Sequence, residues 1–255
     1  MTQLIGKDNP KFIDRTGEKH ITNEGYEAEI IEYRKAIDLD IKFSDGTILK
    51  NIYYGNLIKG TVGHPYHKSV NGVGYKGVGR HKCKEKGKDT KVYKVWNSIM
   101  ERGYSPIFKK KYPAYKDVTV AEEWHNFQNF GDWFETNYNP KTMQGWHIDK
   151  DILVKGNRVY SSTTCCFVPL EINSMFTVSR NNKYPTGVHY HIRNKTFTSS
   201  INRRHLGSFD TPEEAFQAYK VAKEKHIKEK ADKWKDFIDP RVYQAMYNYE
   251  VEITD

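Results

Sequence analysis

The N-terminal part of the chain alternates apolar and polar residues with the two-residue period of β-strands. Such runs extend from Glu29 to Tyr33, from Leu39 to Phe43 and from Ile48 to Tyr53. The sequence SDGT at Ser44–Thr47 predicts a tight turn that joins the last two runs as antiparallel strands. We therefore expect a small twisted sheet or barrel, and the β-rich domain with its glycine-rich linker spans residues 1–80.

The middle of the chain changes to the period of amphipathic helices. In KVYKVWNSIMERGY, apolar residues recur at positions 92, 95, 96, 99 and 100. The segment VAEEWHNFQNFGDWFETNY continues the period through Trp124, Phe127, Phe130 and Trp133. Aromatic residues at this spacing normally face a core, so we expect these rings to pack inside the fold rather than to stack on bases.

The segment after these helices places polar residues on one face of a predicted strand. Trp146–Leu153 alternates so that His147, Asp149 and Asp151 leave one face and the residues between them leave the other. This pattern would bring an imidazole and two carboxylates close together. A hairpin whose charges are simply solvated shows the same alternation and is the plainer alternative.

A second strand and a short helix are predicted after a loop that contains Asn157. The strand is Thr163–Leu170, and the helix opens at Glu171 so that Asn173 can point back at the first strand. Carboxylate and amide oxygens suit a hard divalent cation, and an imidazole can deprotonate a water molecule. This combination indicates phosphodiester cleavage with a single metal ion. The candidate catalytic residues are His147, Asp149, Asp151, Asn157 and Asn173.

Composition favours a polyanionic partner. The chain has 41 Lys plus Arg against 32 Asp plus Glu, a formal net charge of +9. Many basic proteins bind no nucleic acid, so charge supports this partner without identifying it. With 255 residues, of which 37% are hydrophobic, the chain is expected to form two or three small domains rather than one large core.

Cysteine content and hydropathy exclude several classes of protein. The three cysteines include no CxxC pair, so we expect neither structural zinc nor a disulfide framework. No apolar run approaches about 18 residues, and the start MTQLIGKDNPKF has no basic segment followed by an apolar core. These features predict a cytoplasmic protein without membrane insertion.

The segment from Gly145 to Ser179 resembles the ββα-metal core of HNH endonucleases, especially the phage and prophage branch with the pattern "LDKDIL…GN…YS…C.FVP..IN". A looser match begins at Trp96. The resemblance implies a nuclease domain over residues 81–180 that binds one divalent ion, usually Mg²⁺ with Mn²⁺ as an alternative. The ligands that carry over are Asp149 and Asn173.

The same resemblance assigns roles to the neighbouring residues. The family's general base commonly follows the aspartate directly, where this chain has Lys150. His147 is therefore our expected base, with Asp151 as the alternative base or ligand. The orienting role of the family's middle asparagine falls to Asn157 or to the Thr163–Thr164 pair, and both stay open. The residues expected to hold the phosphate are Lys150, Lys155 and Arg158.

The C-terminal part predicts three short strands followed by a helix. The strands are Tyr184–Arg193, Thr196–Arg203 and Arg204–Phe209. The sequence TPEE at Thr211–Glu214 has the cap, the proline and the glutamate of a helix start. We expect this helix to continue to about Phe237 and to restart near Tyr243 after a proline.

This C-terminal pattern resembles the Apetala-two/ethylene-response-factor DNA-binding domain, on the segment GVHYHIRNKTFTSSINRRHLGSFDTPEEAFQAYKVA. In that family the sheet enters the major groove and the helix packs behind it. Two departures are Phe197 in place of the usual Trp and His189 in place of a base-reading Arg. The domain would span residues 181–255. The candidate DNA contacts are His189, His191, Arg193, Lys195, Thr198, Ser200, Arg203 and Arg204.

The two resemblances together imply an α+β, multidomain DNA endonuclease. Its parts would be a small N-terminal β domain, a central ββα-metal module with flanking helices, and a C-terminal three-stranded antiparallel sheet plus helix. We expect it to bind double-stranded DNA as a monomer or homodimer, to nick it, and to serve a phage or prophage as a homing or mobile-element enzyme. The alternative is a catalytically inactive, sequence-specific DNA-binding protein or regulator. An RNA-processing nuclease is disfavoured because A-form RNA hides its major groove.

Overall fold

The computed structural model describes residues 12–176 and 183–253 and contains both helices and strands, which confirms the α+β class. The chain divides into two compact units. The first contains the described residues up to Arg80 together with Asn126–Gln128, and the second contains the others. The domain boundary predicted at 180–181 lies outside the described residues, and the predicted three-domain division stays a prediction.

The first unit is built on an antiparallel sheet of four strands in chain order. Its elements are β1 (Lys19–Ile21), β2 (Glu27–Lys35), β3 (Asp38–Phe43), β4 (Ile48–Ile52) and a short helix, α1 (Tyr54–Ile58). The three predicted strands are present, and β2 is longer than predicted because it pairs with a neighbour on each side. The predicted turn is present too, since the Asp45 carboxylate accepts a hydrogen bond from the Thr47 amide at 2.9 Å.

Inward side chains of this sheet and of α1, together with one residue of the segment after α1, form the core of the first unit. They are Ala28, Ile30, Tyr33, Leu39, Ile41, Phe43, Leu57 and Val62. Their alternation along β2 and β3 is the pattern that identified these strands. β1 was not predicted, because its three residues are too few to show a period.

The helices predicted in the middle of the chain are present, with one shifted start. The elements are β5 (Lys84–Glu85), β6 (Lys88–Asp89), α2 (Lys91–Tyr104), α3 (Pro106–Lys111), β7 (Thr119–Val120) and α4 (Phe127–Asn137). Trp96 is fully buried, and its indole nitrogen donates to the Trp124 carbonyl at 2.7 Å. Trp124 itself belongs to a 3₁₀ turn, Glu122–His125, that precedes α4. The expected inward packing is confirmed for Trp124, Phe127 and Phe130, which are buried, whereas Trp133 is half-buried.

Two short antiparallel strands and a helix turn follow α4. They are β8 (His147–Asp149), β10 (Cys166–Val168) and α5 (Leu170–Asn173), and between them β9 (Val159–Tyr160) pairs in parallel with β7. Asp149 lies opposite Cys166, and His147 lies opposite Val168. The prediction of one strand over Trp146–Leu153 was wrong in length, because the chain turns directly after Asp149. Asp151 therefore lies in the turn rather than on the strand.

The C-terminal part has three antiparallel strands in chain order and two helices. They are β11 (Val188–His191), β12 (Thr196–Ile201), β13 (Arg204–Phe209), α6 (Pro212–Trp234) and α7 (Pro240–Tyr247). The predicted start of α6 is confirmed: the Thr211 hydroxyl accepts from the Glu214 amide at 3.2 Å, and Pro212 occupies the first turn. The helix packs on the sheet through Ala215 and Tyr219, which are buried.

None of the helices within residues 12–176 and 183–253 combines the length and the apolar character that crossing a membrane requires.

Candidate functional site

A cleft of about 270 Å³ opens between β8, the turn after it, α2 and α5. Four of the five candidate catalytic residues line this cleft: His147, Asp149, Asp151 and Asn173. Three cationic residues, Arg102, Lys150 and Arg158, line it as well. The structure therefore brings an imidazole, two carboxylates, an amide and several cations to one cavity.

Asp149 is the most strongly perturbed acid of the cleft. Its Oδ1 accepts hydrogen bonds from the backbone amides of Asp151 and Ile152, at 2.9 and 2.7 Å. Burial, and then the charge of Asp151, raise the pKa of Asp149 to about 6, although the two amide bonds act in the opposite direction. The same two amide bonds fold the backbone into the turn that ends β8.

Lys150 stands where the family pattern has its histidine base, and its side chain is buried against its own neighbours. Its ammonium group lies 2.8 Å from the Asp151 carboxylate and 5.9 Å from the centre of the Tyr160 ring. The side chain is 9% exposed. Lys150 therefore forms an ion pair with Asp151 at the cleft and does not extend into solvent.

His147 is exposed at the cleft. Its position on β8 puts Ile148, which is buried, between it and Asp149. With the residues that the structure describes, the imidazole makes no hydrogen bond. Asn173 occupies the last position of α5, is half-buried, and faces the same cavity. Both side chains are therefore open to a ligand that enters the cleft.

Asn157 does not line the cleft but ties together the loop behind it. Its side-chain amide donates to the carbonyls of Lys150 and Val159, at 2.6 and 2.7 Å, and its oxygen accepts from the Val159 amide at 3.2 Å. Thr164 also reaches the Val159 carbonyl, at 2.9 Å, whereas the Thr163 hydroxyl contacts that of Ser161 at 3.1 Å. Asn157 thus acts on the backbone next to Asp149 and not on a ligand.

Two of the three residues expected to hold phosphate are engaged elsewhere. The ammonium group of Lys155 donates to the Glu250 carbonyl at 2.9 Å and lies 4.8 Å from the centre of the Tyr249 ring, so it is directed at the C-terminal segment. Lys150 is held by Asp151, as described above. Arg158 remains at the cleft, where its guanidinium donates to the Ala114 carbonyl at 2.9 Å.

Sequence reasoning missed Arg102. This residue lies on α2, and its guanidinium donates to the Tyr160 hydroxyl at 3.1 Å inside the cleft. Burial raises the pKa of Tyr160, so the phenol stays protonated and can accept this bond. The available signal was weak: Arg102 lies beside the buried stripe of α2, a position that many surface arginines share.

Glu171, two residues before Asn173, fixes α5 to the long helix α6. Its carboxylate accepts hydrogen bonds from Lys230, from Lys233 at 2.8 Å and from the Trp234 indole at 2.9 Å. These three donors, that of Lys230 first, lower the pKa of Glu171 to about 2. The carboxylate is therefore ionised over the whole neutral range. Sequence reasoning gave Glu171 no role beyond opening the helix.

The outward face of the C-terminal sheet carries half of the predicted DNA contacts. Val188 and Ser199 are buried and face α6, so the residues that alternate with them point away from the helix. These outward residues include His189, His191, Thr198 and Ser200. Arg193 and Lys195 are exposed in the loop between β11 and β12 rather than on the face.

The hairpin between β12 and β13 changes the prediction for two arginines. Arg203 is in the two-residue turn, where it and Asn202 have positive φ angles of 65° and 49°. Arg204 pairs with Ile201 and so lies on the side of the sheet that faces α6. Arg203 and Arg204 were predicted as DNA contacts together with residues of the outward face, and neither of them lies on that face. His205, which pairs with Ser200, occupies the outward position instead.

A separate group of possible metal ligands consists of two acids on α4 and one histidine from an earlier segment. Within the described part of the chain, His81, Asp132 and Glu135 are the one set of His, Cys, Asp or Glu side chains whose ligand atoms all lie within 4.8 Å of one another. The His81 imidazole is 2.9 Å from the Asp132 carboxylate. Both acids are exposed, and exposed acids often lie together without an ion. The sequence interpretation did not include this group.

Compared with known proteins, the chain matches no family model, no curated sequence and no solved structure.

Proposed function

We propose that the chain is a metal-dependent DNA endonuclease of the HNH type that hydrolyses phosphodiester bonds, most simply by nicking one strand. The observation that carries the proposal is the shared cleft of His147, Asp149 and Asn173, formed by two antiparallel strands and the helix that follows them. A solvated hairpin would not need to bring Asp149 into one cavity with His147 and Asn173. The wider role we propose is that of a mobile-element or homing enzyme.

The donor atoms of the cleft suit a hard divalent cation, Mg²⁺ or Mn²⁺, with Asp149 and Asn173 as its ligands. Asp149 is half-buried beside Asp151, and desolvation and the charge of Asp151 raise its pKa. A divalent cation would relieve that unfavourable burial of negative charge. When bound, such an ion polarises the scissile phosphate and stabilises the leaving oxygen.

The chain's own residues supply the other requirements of the reaction. The exposed imidazole of His147 can take the proton of the attacking water, with Asp151 as the alternative acceptor. Arg102 and Arg158 present guanidinium groups that can hold the phosphate oxygens in place. Asn157 orients the turn after β8 through its bonds to the Lys150 and Val159 carbonyls.

We propose that the C-terminal sheet binds the substrate, duplex DNA. The outward face of this sheet bears His189, Thr198 and Ser200, and the exposed cations Arg193 and Lys195 flank it. A Thr198→Glu substitution adds a negative charge to the middle strand of this face. We expect it to weaken binding of a labelled plasmid fragment about tenfold or more. Thr142→Glu, in an exposed segment outside the sheet, serves as the control.

The direct test is nicking of supercoiled plasmid in the presence of Mg²⁺ or Mn²⁺. We expect relaxation by the wild type, loss of activity with EDTA, and loss in Asp149→Ala and Asn173→Ala. Asp236→Ala, which removes an exposed acid outside the cleft, should keep full activity. Nicking that survives in Asp149→Ala would reject the proposal.

The second candidate function is DNA binding without cleavage. It is favoured by one observation, the ion pair of Lys150 with Asp151 at the place where the family pattern has its base. In that case the wild type would retain plasmid fragments in a gel-shift assay, Thr198→Glu would release them, and no metal ion would produce nicks.

A further inference from the structure

Helix α6 contacts both the proposed DNA-reading sheet and the proposed cleavage site. Its N-terminal half packs on β11, β12 and β13, where Ala215, Phe216 and Tyr219 are buried. Its C-terminal end reaches α5 through Lys230 and Trp234. At 23 residues the helix is about 34 Å long, close to one turn of duplex DNA.

Trp234, the last residue of α6, supports both sides of the cleft. Its indole nitrogen donates to the Glu171 carboxylate at 2.9 Å, two residues before the proposed ligand Asn173. Its ring meets that of Trp146 edge to face, with centroids 6.1 Å apart, and Trp146 directly precedes His147. One side chain of α6 therefore contacts the segments that carry the proposed base and a proposed metal ligand.

Two further contacts hold the end of α5 to α6. Lys233 donates to Glu171 at 2.8 Å. Lys223, ten residues earlier on α6, donates at 2.8 Å to the carbonyl of Met175, in the turn directly after α5. Glu171 is the centre of this arrangement because its carboxylate receives three donors from α6. Charged hydrogen bonds that share one acceptor restrict its position more than a single surface pair does.

We infer that Glu171 is a positioning residue that locks the cleavage site to the DNA-reading helix, so that the enzyme cuts at a constant distance from the bases it reads. The inference rests on the proposed nuclease function and adds the distance between the cut and the bases that the sheet reads. From Tyr219 on the sheet to Trp234 at the site, α6 rises over 15 residues, or about 22 Å, so we expect a distance on DNA within about one helical turn. Glu171 touches neither the DNA nor the metal in this account.

The test compares the positions of nicks made by the wild type and by Glu171→Gln on one supercoiled plasmid, mapped by sequencing the nicked ends. The wild type should show base preferences at a constant offset from the nick. Glu171→Gln should keep its total nicking within about twofold, while the share of nicks at that offset falls roughly twofold to thirtyfold. Glu229→Gln, an exposed glutamate on the same helix, should match the wild type.

A charge-swapped variant guards against simple misfolding. Glu171→Lys combined with Lys230→Glu and Lys233→Glu restores opposite charges across the contact, and it should recover the constant offset. Thermal unfolding of each variant confirms that it is folded. An unchanged distribution of nicks in folded Glu171→Gln overturns the inference.

A second measurement separates failure of the inference from failure of the proposed function. If the wild type makes no nicks, the nuclease proposal fails, and amide hydrogen exchange then tests the mechanical connection alone. Addition of a fragment of the same plasmid should slow exchange in the peptide that contains Leu170–Asn173, and this protection should be lost in Glu171→Gln. Equal protection in both proteins, or none in either, overturns the inference.

Discussion

The carboxylate of Asp149 is bonded to the backbone amide of Ile152 at 2.7 Å, so the acid at the centre of the cleft also shapes the turn that follows its own strand. The amide of Asp151 donates to the same oxygen at 2.9 Å. These bonds hold the carboxylate at the cleft although burial opposes its charge. The position is therefore suited to a cation and is costly without one.

Asp149→Asn should stabilise the metal-free protein while it abolishes nicking. The asparagine oxygen can accept the same two amide bonds, but it carries no charge. The pKa of Asp149 is raised from 3.8 to about 6, so in metal-free protein the cost of ionising it is absent below about pH 4 and complete above about pH 6. We expect a gain of roughly 2–3 kcal/mol at pH 8 that disappears near pH 4.

Urea unfolding in EDTA at several pH values measures this gain. Asp236→Asn removes a charge outside the cleft and should leave the stability unchanged at each pH. A gain that does not depend on pH would contradict the assignment of the raised pKa to Asp149.

Asn157→Ala should loosen the turn after β8. The substitution removes bonds to the Lys150 and Val159 carbonyls and to the Val159 amide, and we expect a loss of about 1–3 kcal/mol. Thr164→Val removes one bond to the Val159 carbonyl and one with the Ser161 hydroxyl, and it should cost about 1–2 kcal/mol. Urea unfolding gives both values. If Thr164→Val proved the more damaging, the threonine rather than the asparagine would hold the orienting role.

Arg102→Ala should slow nicking far more than it weakens DNA binding. The guanidinium lies inside the cleft on Tyr160, where it can contact a phosphate that is undergoing cleavage. Loss of one such donor typically reduces the rate by about 10²-fold. Single-turnover nicking measures the rate, and gel shift measures binding. Arg158→Ala, at a more exposed position, should have a smaller effect, and equal rates for wild type and Arg102→Ala would exclude this role.

The thiols should differ sharply in reactivity. Burial raises the pKa of Cys165 to about 12 and also raises that of Cys166, whereas Cys83 is partly exposed. At pH 8 a thiol with a pKa of about 12 is ionised in roughly one molecule in ten thousand. Iodoacetamide followed by mass spectrometry should modify Cys83 in the native protein and all three thiols in urea. Rapid native labelling of Cys165 would contradict its buried position next to β10.

Periodicity predicted the sheets and helices, but local bonds decided where they end. The alternation from His147 to Asp151 continues in the sequence, yet the strand stops at Asp149 because that side chain captures the next amides. Counting alternate residues along the sequence likewise does not reveal the two-residue turn at Asn202 and Arg203. That turn moves Arg204 to the helix side and His205 to the outward face.

Motifs identified the residues of the cleft that come from one continuous segment and missed those that come from elsewhere. Asp149 and Asn173 lie within the pattern that resembles HNH endonucleases, His147 directly precedes that pattern, and the fold places all three on one cavity. Arg102 reaches the same cavity from α2, and Lys155 leaves it for Tyr249. Both outcomes depend on tertiary packing that the order of residues does not show.

The central claim is that Asp149 and Asn173 hold a catalytic cation, and a crystal soaked in Mn²⁺ tests it most directly. An anomalous scattering peak should lie about 2.0–2.6 Å from an oxygen of each of these side chains, with His147 facing the same cavity. A peak at His81, Asp132 and Glu135 with none beside Asp149 would contradict it.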